Sequence, residues 1–138
     1  MTNVNDYNTR LIDEFRANNG VVDGPFETQP LMLFTHTGAK SGKQRTTPIV
    51  YHRDGDRLVI AASKGGAPTN PAWYHNLVAH PDVTVELPGQ TFRARATEVK
   101  GEERDRLFRA HAELMPAFAD YETKTDRKIP IFVLTRVD

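Results

Sequence analysis

Residues 46–62 read Thr46-Thr47-Pro48-Ile49-Val50-Tyr51-His52-Arg53-Asp54-Gly55-Asp56-Arg57-Leu58-Val59-Ile60-Ala61-Ala62. Ile49, Val50 and Tyr51 on one side, and Leu58 to Ala62 on the other, are runs suited to pleated, packed strands. Between them Asp54-Gly55 is a pair that fits a two-residue hairpin loop, because glycine accepts the positive φ such loops demand. The spacing therefore predicts a strand over about 46–53, a tight turn and a returning strand over 58–62. Upstream, Leu31-Met32-Leu33-Phe34-Thr35 predicts a buried strand that feeds a turn at Gly38 to Gly42. Downstream, Val83 to Leu87 alternates, Pro88-Gly89 turns, Phe92 to Val99 alternates again, and Ile131 to Thr135 closes the set.

Helices fill the gaps between these strands. Tyr7, Leu11, Ile12 and Phe15 recur at helical spacing over residues 5–19, and Asn18-Asn19-Gly20 supplies the stop. Asn70 reads as an N-cap with Pro71 at the first helical position, opening a short helix through Trp73, Leu77 and Val78 that ends at His80-Pro81. Residues 102–114 are charged helix formers carrying Leu107, Phe108 and Leu114, and a further short helix follows Pro116. The expected class is mostly β (α+β), an antiparallel barrel or sandwich of about six strands with short flanking helices, in a single domain over residues 1–138.

The 138 residues carry no cysteine, which removes disulfide, thiolate-metal and cysteine-nucleophile chemistry. The first residues lack the charged and apolar blocks of a signal peptide, and no apolar run approaches bilayer length, so a cytoplasmic, soluble chain is expected. Eighteen basic and eighteen acidic side chains cancel overall, yet residues 28–81 hold a surplus of four positive charges. Between Glu27 and Asp54 there is no acid, while Lys40, Lys43, Arg45 and Arg53 fall there among glycines and hydroxyl residues. A general nucleic-acid binder is more often basic overall, so this local pattern favours a compact anionic ligand.

Other site types fail on spacing. Gly38 and Gly42 are too close for a Walker loop and Gln44 follows Lys43. No Rossmann fingerprint follows a strand. Ser41 and Ser63, the only serines, sit in no nucleophile elbow. The five histidines are scattered, so no metal is expected. What remains, anion handles with glycine loops and little acid–base machinery, suits an enzyme whose cofactor performs the reaction.

Four ordered motifs carry a resemblance: Thr37-Gly38-Ala39-Lys40-Ser41-Gly42-Lys43-Gln44-Arg45-Thr46-Thr47-Pro48, Ala61-Ala62-Ser63-Lys64-Gly65-Gly66-Ala67-Pro68, Asn70-Pro71-Ala72-Trp73-Tyr74-His75-Asn76-Leu77, and Tyr121 with Ile129-Pro130. Together, over nearly the whole chain, they resemble the deazaflavin-dependent nitroreductase family of split β-barrel oxidoreductases that use coenzyme F-420. The resemblance implies a six-stranded antiparallel split β-barrel and a reduced deazaflavin that gives up hydride from its ring.

It also implies a division of labour. Lys40 and Arg45 match the family's anion-binding positions, with Ala39, Ser41, Thr46, Thr47, Pro48, Ile49 and Val50 along the same tail and ring edge. Ala61, Ala62, Ser63 and Lys64 match the segment beside the ring, and Ala72, Trp73, Tyr74, His75 and Asn76 match a second cofactor segment. Ser63 and Tyr121 are the candidate catalytic donors to the reduced acceptor, and Tyr121 also matches a cofactor-facing position. Phe118, Tyr121 and Lys124 stand in the register where the nitroimidazole-activating member has tyrosines, so Leu114, Met115, Phe118 and the N-terminal helix imply an apolar wall suited to quinones or other planar electron-poor acceptors. A non-catalytic deazaflavin carrier and a flavin mononucleotide-dependent split-barrel oxidoreductase are the alternatives. The expected partners are a small-molecule acceptor and a second copy of the chain, with at most weak peripheral membrane contact.

Overall fold

The structure, a computed structural model, describes residues 4–22, 30–63, 69–125 and 128–137. Lys64 and Gly65 to Pro68 of the second motif lie outside the described residues. The elements run α1 (Val4–Ala17), β1 (Leu31–Thr37), β2 (Gln44–Val50), β3 (His52–Asp54), β4 (Arg57–Ala61), α2 (Ala72–Ala79), β5 (Asp82–Leu87), β6 (Gln90–Val99), α3 (Gly101–Leu114), α4 (Ala117–Thr123) and β7 (Ile131–Arg136). No helix among the described residues is long and apolar enough to cross a membrane.

The strands form one antiparallel seven-stranded sheet in the order β2-β1-β5-β6-β7-β4-β3. Its two edges, β2 and β3, are consecutive in the chain with only Tyr51 between them. The Tyr51 N–H donates to the Pro30 carbonyl at 3.1 Å. One residue later His52 is paired with Val59 of β4. A single extended segment therefore leaves one edge and joins the other, so the sheet curls into a half-barrel. This corrects two expectations: the strand over 46–53 is two strands, and the count of six becomes seven. The cause is a change of partner at Tyr51, which propensity does not record.

Period-two alternation divides the side chains between two cores. Met32, Phe34, Leu58, Ile60, Val85, Phe92, Phe132 and Leu134 fill the inside of the curl with Trp73 and Leu77 of α2. Leu31, Leu33, Val59, Ala61, Ile131 and Val133 face outward beneath Leu11 and Phe15 of α1, Leu107 and Phe108 of α3, and Phe118 of α4. Burying a Leu or Phe side chain in either layer contributes about 1.5–3 kcal/mol. Arg16 of α1 donates from Nε and Nη2 to the Glu86 carboxylate of β5 at 3.0 and 2.8 Å, fastening that helix to the sheet.

Helix α1 ends at Ala17, two residues before the expected bound, and the expected stop follows it with Asn19 and Gly20 in the left-handed region at φ of 53° and 89°. A side chain at Gly20 would place its Cβ 2.4 Å from Pro88 Cγ, so the helix exit also packs on the β5–β6 turn. At α2 the expected cap moves by one residue. Pro71 is the N-cap in extended conformation, no side chain caps the helix, and Ala72 is the first helical residue.

Candidate functional site

Strand polarity gathers the predicted motifs at one end of the half-barrel. Thr37, at the end of β1, faces Gln44, and Thr35 faces Thr84 near the start of β5. Val99 at the end of β6 and Ala61 at the end of β4 both face Ile131. The 38–43 loop, the Ala61–Ser63 segment and the Ile129-Pro130 approach to β7 therefore share this end. The Asp54–Arg57 and Leu87–Gln90 turns lie at the other.

The 38–43 loop is a closed turn. Gly38 N–H donates to the Lys43 carbonyl at 2.8 Å, and Gly42 N–H to the Gly38 carbonyl at 3.0 Å. Lys43 N–H adds a bond to Ser41 Oγ at 3.2 Å. Gly42 needs its positive φ of 71°. A Cβ on Gly38 would lie 2.5 Å from Ser41 Oγ, so a side chain there would push that hydroxyl off its bond with Lys43 N–H. The turn leaves Ala39, Lys40, Ser41 and Lys43 exposed, with Arg45 exposed at the base of β2.

A polar lock anchors the loop from below. Ala39 N–H donates to Asn76 Oδ1 at 2.9 Å. The other end of that amide, Nδ2, lies 3.0 Å from His36 Nδ1 and so must donate to it. The ring proton of His36 is thereby placed on Nε2, which donates to Thr47 Oγ1 at 2.8 Å. Burial, and then the charge of Arg45, lower the His36 pKa to about 4, so the ring is neutral at physiological pH. The hydroxyls of Thr35 and Thr46 pair at 2.8 Å alongside.

These bonds show what each predicted residue has to offer. Thr46, Thr47 and Asn76 spend polar atoms inside the protein, as supports for the loop. Lys40, Lys43 and Arg45 have no ion pair among the described residues, whereas Arg16, Arg57, Arg95, Lys100, Arg104, Arg106 and Lys128 all do. Unpaired cations on a rigid turn fit a ligand bearing phosphate and carboxylate groups.

The remaining predicted residues fall into three settings. Trp73 lies inside the half-barrel, edge-on to Phe34 at 5.4 Å. Tyr74 donates its hydroxyl to Glu98 at 3.0 Å, and burial followed by that bond raises its pKa. Ala72 and His75 are exposed on α2. Further down β2, Pro48 and Ile49 are half-buried, and Val50 is buried in the outer core beside Leu31. Ala61, Ala62 and Ser63 are buried, with Ala62 N–H donating to the Pro130 carbonyl at 2.9 Å. That bond explains why the late Ile129-Pro130 motif belongs with this end.

Tyr121 is half-buried on α4, packed against the outer core that also contains Ala61. Its ring meets Phe118 at 5.2 Å, and Lys124 Nζ stands 5.7 Å from the ring centre. Phe118, Tyr121 and Lys124 thus follow one another in contact from the buried side of α4 to its C-cap.

Sequence reasoning missed His36. The signal was there, since it alternates with Met32 and Phe34 on the inner side of β1, and a histidine buried there needs partners. It also missed the contact between His52 and His111, whose Nδ1 atoms lie 2.8 Å apart. Among the described residues no cluster of three or more His, Cys, Asp or Glu side chains is placed to hold a metal ion.

A cationic turn, a small-residue segment and a short helix are thus gathered at one end of the curled antiparallel sheet. Residues 8–136 match the family described as F420H(2)-dependent quinone reductase, and the chain belongs to that family. It is 40% identical over 126 residues to an F420H(2)-dependent quinone reductase of Mycobacterium tuberculosis strain H37Rv, covering 88% of this chain and 85% of that one. A solved F420-H2 dependent reductase is 42% identical, with a TM-score of 0.71 over 76% of this chain and 93% of its own. A second solved chain, described as a domain-swapped dimer, is 38% identical with a TM-score of 0.73, covering 96% of this chain and 99% of its own. The expectation of a deazaflavin-dependent reductase is therefore met.

Proposed function

We propose that this chain reduces lipophilic quinones with reduced coenzyme F-420, and that the observation carrying this reading is the set of unpaired cations on the locked 38–43 turn. The coenzyme, when bound, supplies the hydride from its ring. Lys40 and Arg45 hold its anionic tail, arginine through two parallel donors and lysine as a mobile charge. The His36–Asn76–Ala39 lock keeps the turn in its receptive shape before the ligand arrives, which lowers the ordering cost of binding. The negative charge that develops on a quinone oxygen is met by the Ser63 hydroxyl and the Tyr121 phenol, which donate hydrogen bonds and, from Tyr121, a proton.

The apolar partners of Tyr121 support a planar, lipophilic acceptor. Phe118 and Met115 are buried beside it, and Leu114 is 65% exposed next to them on α3. The shape relationship to the domain-swapped dimer supports a homodimer in solution. The test follows the coenzyme's own absorbance during turnover with a quinone panel. Saturable, enzyme-dependent oxidation supports the reading; tight coenzyme binding without oxidation by any quinone would replace it with a carrier function.

A further inference from the structure

His52, the first residue of β3, and His111 on α3 are 4% and 0% exposed. Their rings meet through Nδ1 atoms 2.8 Å apart, with centroids at 5.0 Å. Both Nε2 atoms are buried without a hydrogen-bond partner among the described residues. Burial lowers the pKa of His52, and burial followed by the charge of His52 takes His111 down to about 3, so both rings are neutral.

A neutral imidazole carries one N–H. One Nδ1 must therefore donate and the other accept. The donor ring is left with a bare Nε2, and the acceptor ring with an Nε2–H, each in an apolar core. Unsatisfied groups of this kind are destabilising, whereas two apolar side chains of similar shape would not be. The contribution of the pair is directional: it fixes the rotation of α3 against β3.

That orientation is passed on. His111 meets Phe118 in a T-shaped contact at 4.4 Å and 83°. Phe118 meets Tyr121 at 5.2 Å and 72°. The His111 carbonyl also accepts from Met115 N–H at 2.9 Å, where α3 turns into α4. Helix α4 has only seven residues, too few to hold itself without packing. The two histidines are thus the root of an aromatic chain that ends at Tyr121.

We propose that His52 and His111 are a positioning pair that tunes acceptor recognition by fixing Phe118, and through it Tyr121, at the acceptor wall. The inference rests on the reading that Tyr121 faces the acceptor. The test compares His52→Leu and His111→Phe singly, the two together, and His52→Asn, whose side-chain amide can occupy the place of Nδ1. Thermal midpoint, coenzyme affinity by equilibrium dialysis, quinone KM and kcat, and the ring resonances of Tyr121 in tyrosine-labelled protein are measured for each.

Either single apolar substitution should lower the midpoint more than the double, because it leaves the surviving ring with a further unpaired nitrogen. The double variant should keep coenzyme affinity within about twofold, raise quinone KM about fivefold or more, and move or broaden the Tyr121 resonances. His52→Asn should restore KM to within about twofold of the parent. A double variant with parental KM and an unmoved Tyr121 signal would overturn the proposal. So would His52→Asn behaving like His52→Leu, a comparison that stands even if the double variant does not fold. If the parent oxidises the reduced coenzyme with no quinone, the functional reading fails by itself. The Tyr121 resonances still decide whether the pair positions that ring.

Discussion

Asn76 Nδ2 donates to His36 Nδ1 at 3.0 Å while Asn76 Oδ1 accepts from Ala39 N–H at 2.9 Å, so one amide sets the histidine tautomer and holds the 38–43 turn. Asn76 lies on α2, His36 on β1 and Ala39 in the turn, and the three meet only in the folded barrel. Replacing Asn76 by Leu strips both partners at once. The expected cost is about 1–3 kcal/mol of stability for each group left unpaired. Coenzyme affinity should fall with it, as the turn loses its preformed shape. Urea unfolding and equilibrium dialysis check the two parts. Unchanged affinity in a destabilised Asn76→Leu protein would separate the lock from binding.

Lys40 and Arg45 should behave in the opposite way. Each is exposed and unpaired, so Lys40→Ala and Arg45→Ala should leave the unfolding midpoint within about 0.5 kcal/mol of the parent. Each should weaken coenzyme binding by about 1–3 kcal/mol, with reduced sensitivity to salt. Titration at two ionic strengths reads both effects. Equal salt sensitivity in parent and variants would place the anionic tail elsewhere.

The three buried histidines predict a stability profile in pH. His36 at about 4, His111 at about 3 and His52, also lowered, all lie below the ordinary value of 6.5 that they regain on unfolding. The unfolded chain therefore binds more protons as pH falls below 6.5, and folding free energy is lost from there down through the folded values. Well below 6.5 the slope approaches about 1.4 kcal/mol per pH unit for His36 and likewise for His111, and His52 acts in the same direction, so pH 5 should be less stable than pH 7. Asp54 does not mask this, because Arg106 and Arg57 hold it at about 2 and its contribution fades only as pH falls below the ordinary carboxylate value. Urea midpoints at pH 7, 6 and 5 measure the slope. A flat profile would mean that the rings are charged or exposed.

Gly20→Ala tests how the barrel is capped. The added Cβ meets the Pro88 ring at 2.4 Å on a backbone with φ of 89°. Neither side can yield cheaply, and a loss of about 2–4 kcal/mol is expected. A thermal midpoint within experimental error of the parent would show that α1 and the β5–β6 turn are not packed together as described.

Much of this fold is legible in local pattern. The alternation of Val83 to Leu87 and of Phe92 to Val99 specifies one hairpin through side-chain period, and Gly55 marks the other, although the two-residue loop is Gly55-Asp56 rather than Asp54-Gly55 because Asp54 pairs with Arg57. Tyr51 is different. Nothing in its identity says that the chain changes partner there, because the switch depends on where Pro30 and β4 lie after the sheet curls. The candidate site divides in the same way. Lys40 and Lys43 on the glycine turn and Arg45 at the base of β2 are visible as charge. His36, Asn76 and Thr47 acquire their roles only through bonds between residues 36 to 47 and α2, and the His52–His111 contact spans 59 positions of sequence. Trp73 shows the limit from the other side, since the motif that contains it points to the cofactor while its ring packs in the barrel.

The central claim is hydride transfer from reduced coenzyme F-420 to a quinone, with Ser63 and Tyr121 as the donors to the reduced acceptor. Its most direct test is the rate of quinone-dependent oxidation of the reduced coenzyme by the parent protein and by Ser63→Ala and Tyr121→Phe. The account predicts saturable turnover by the parent, and kcat lower by about 10²-fold or more in Tyr121→Phe with coenzyme affinity preserved. Bound coenzyme that no quinone oxidises, or parental kcat in both variants, would contradict it.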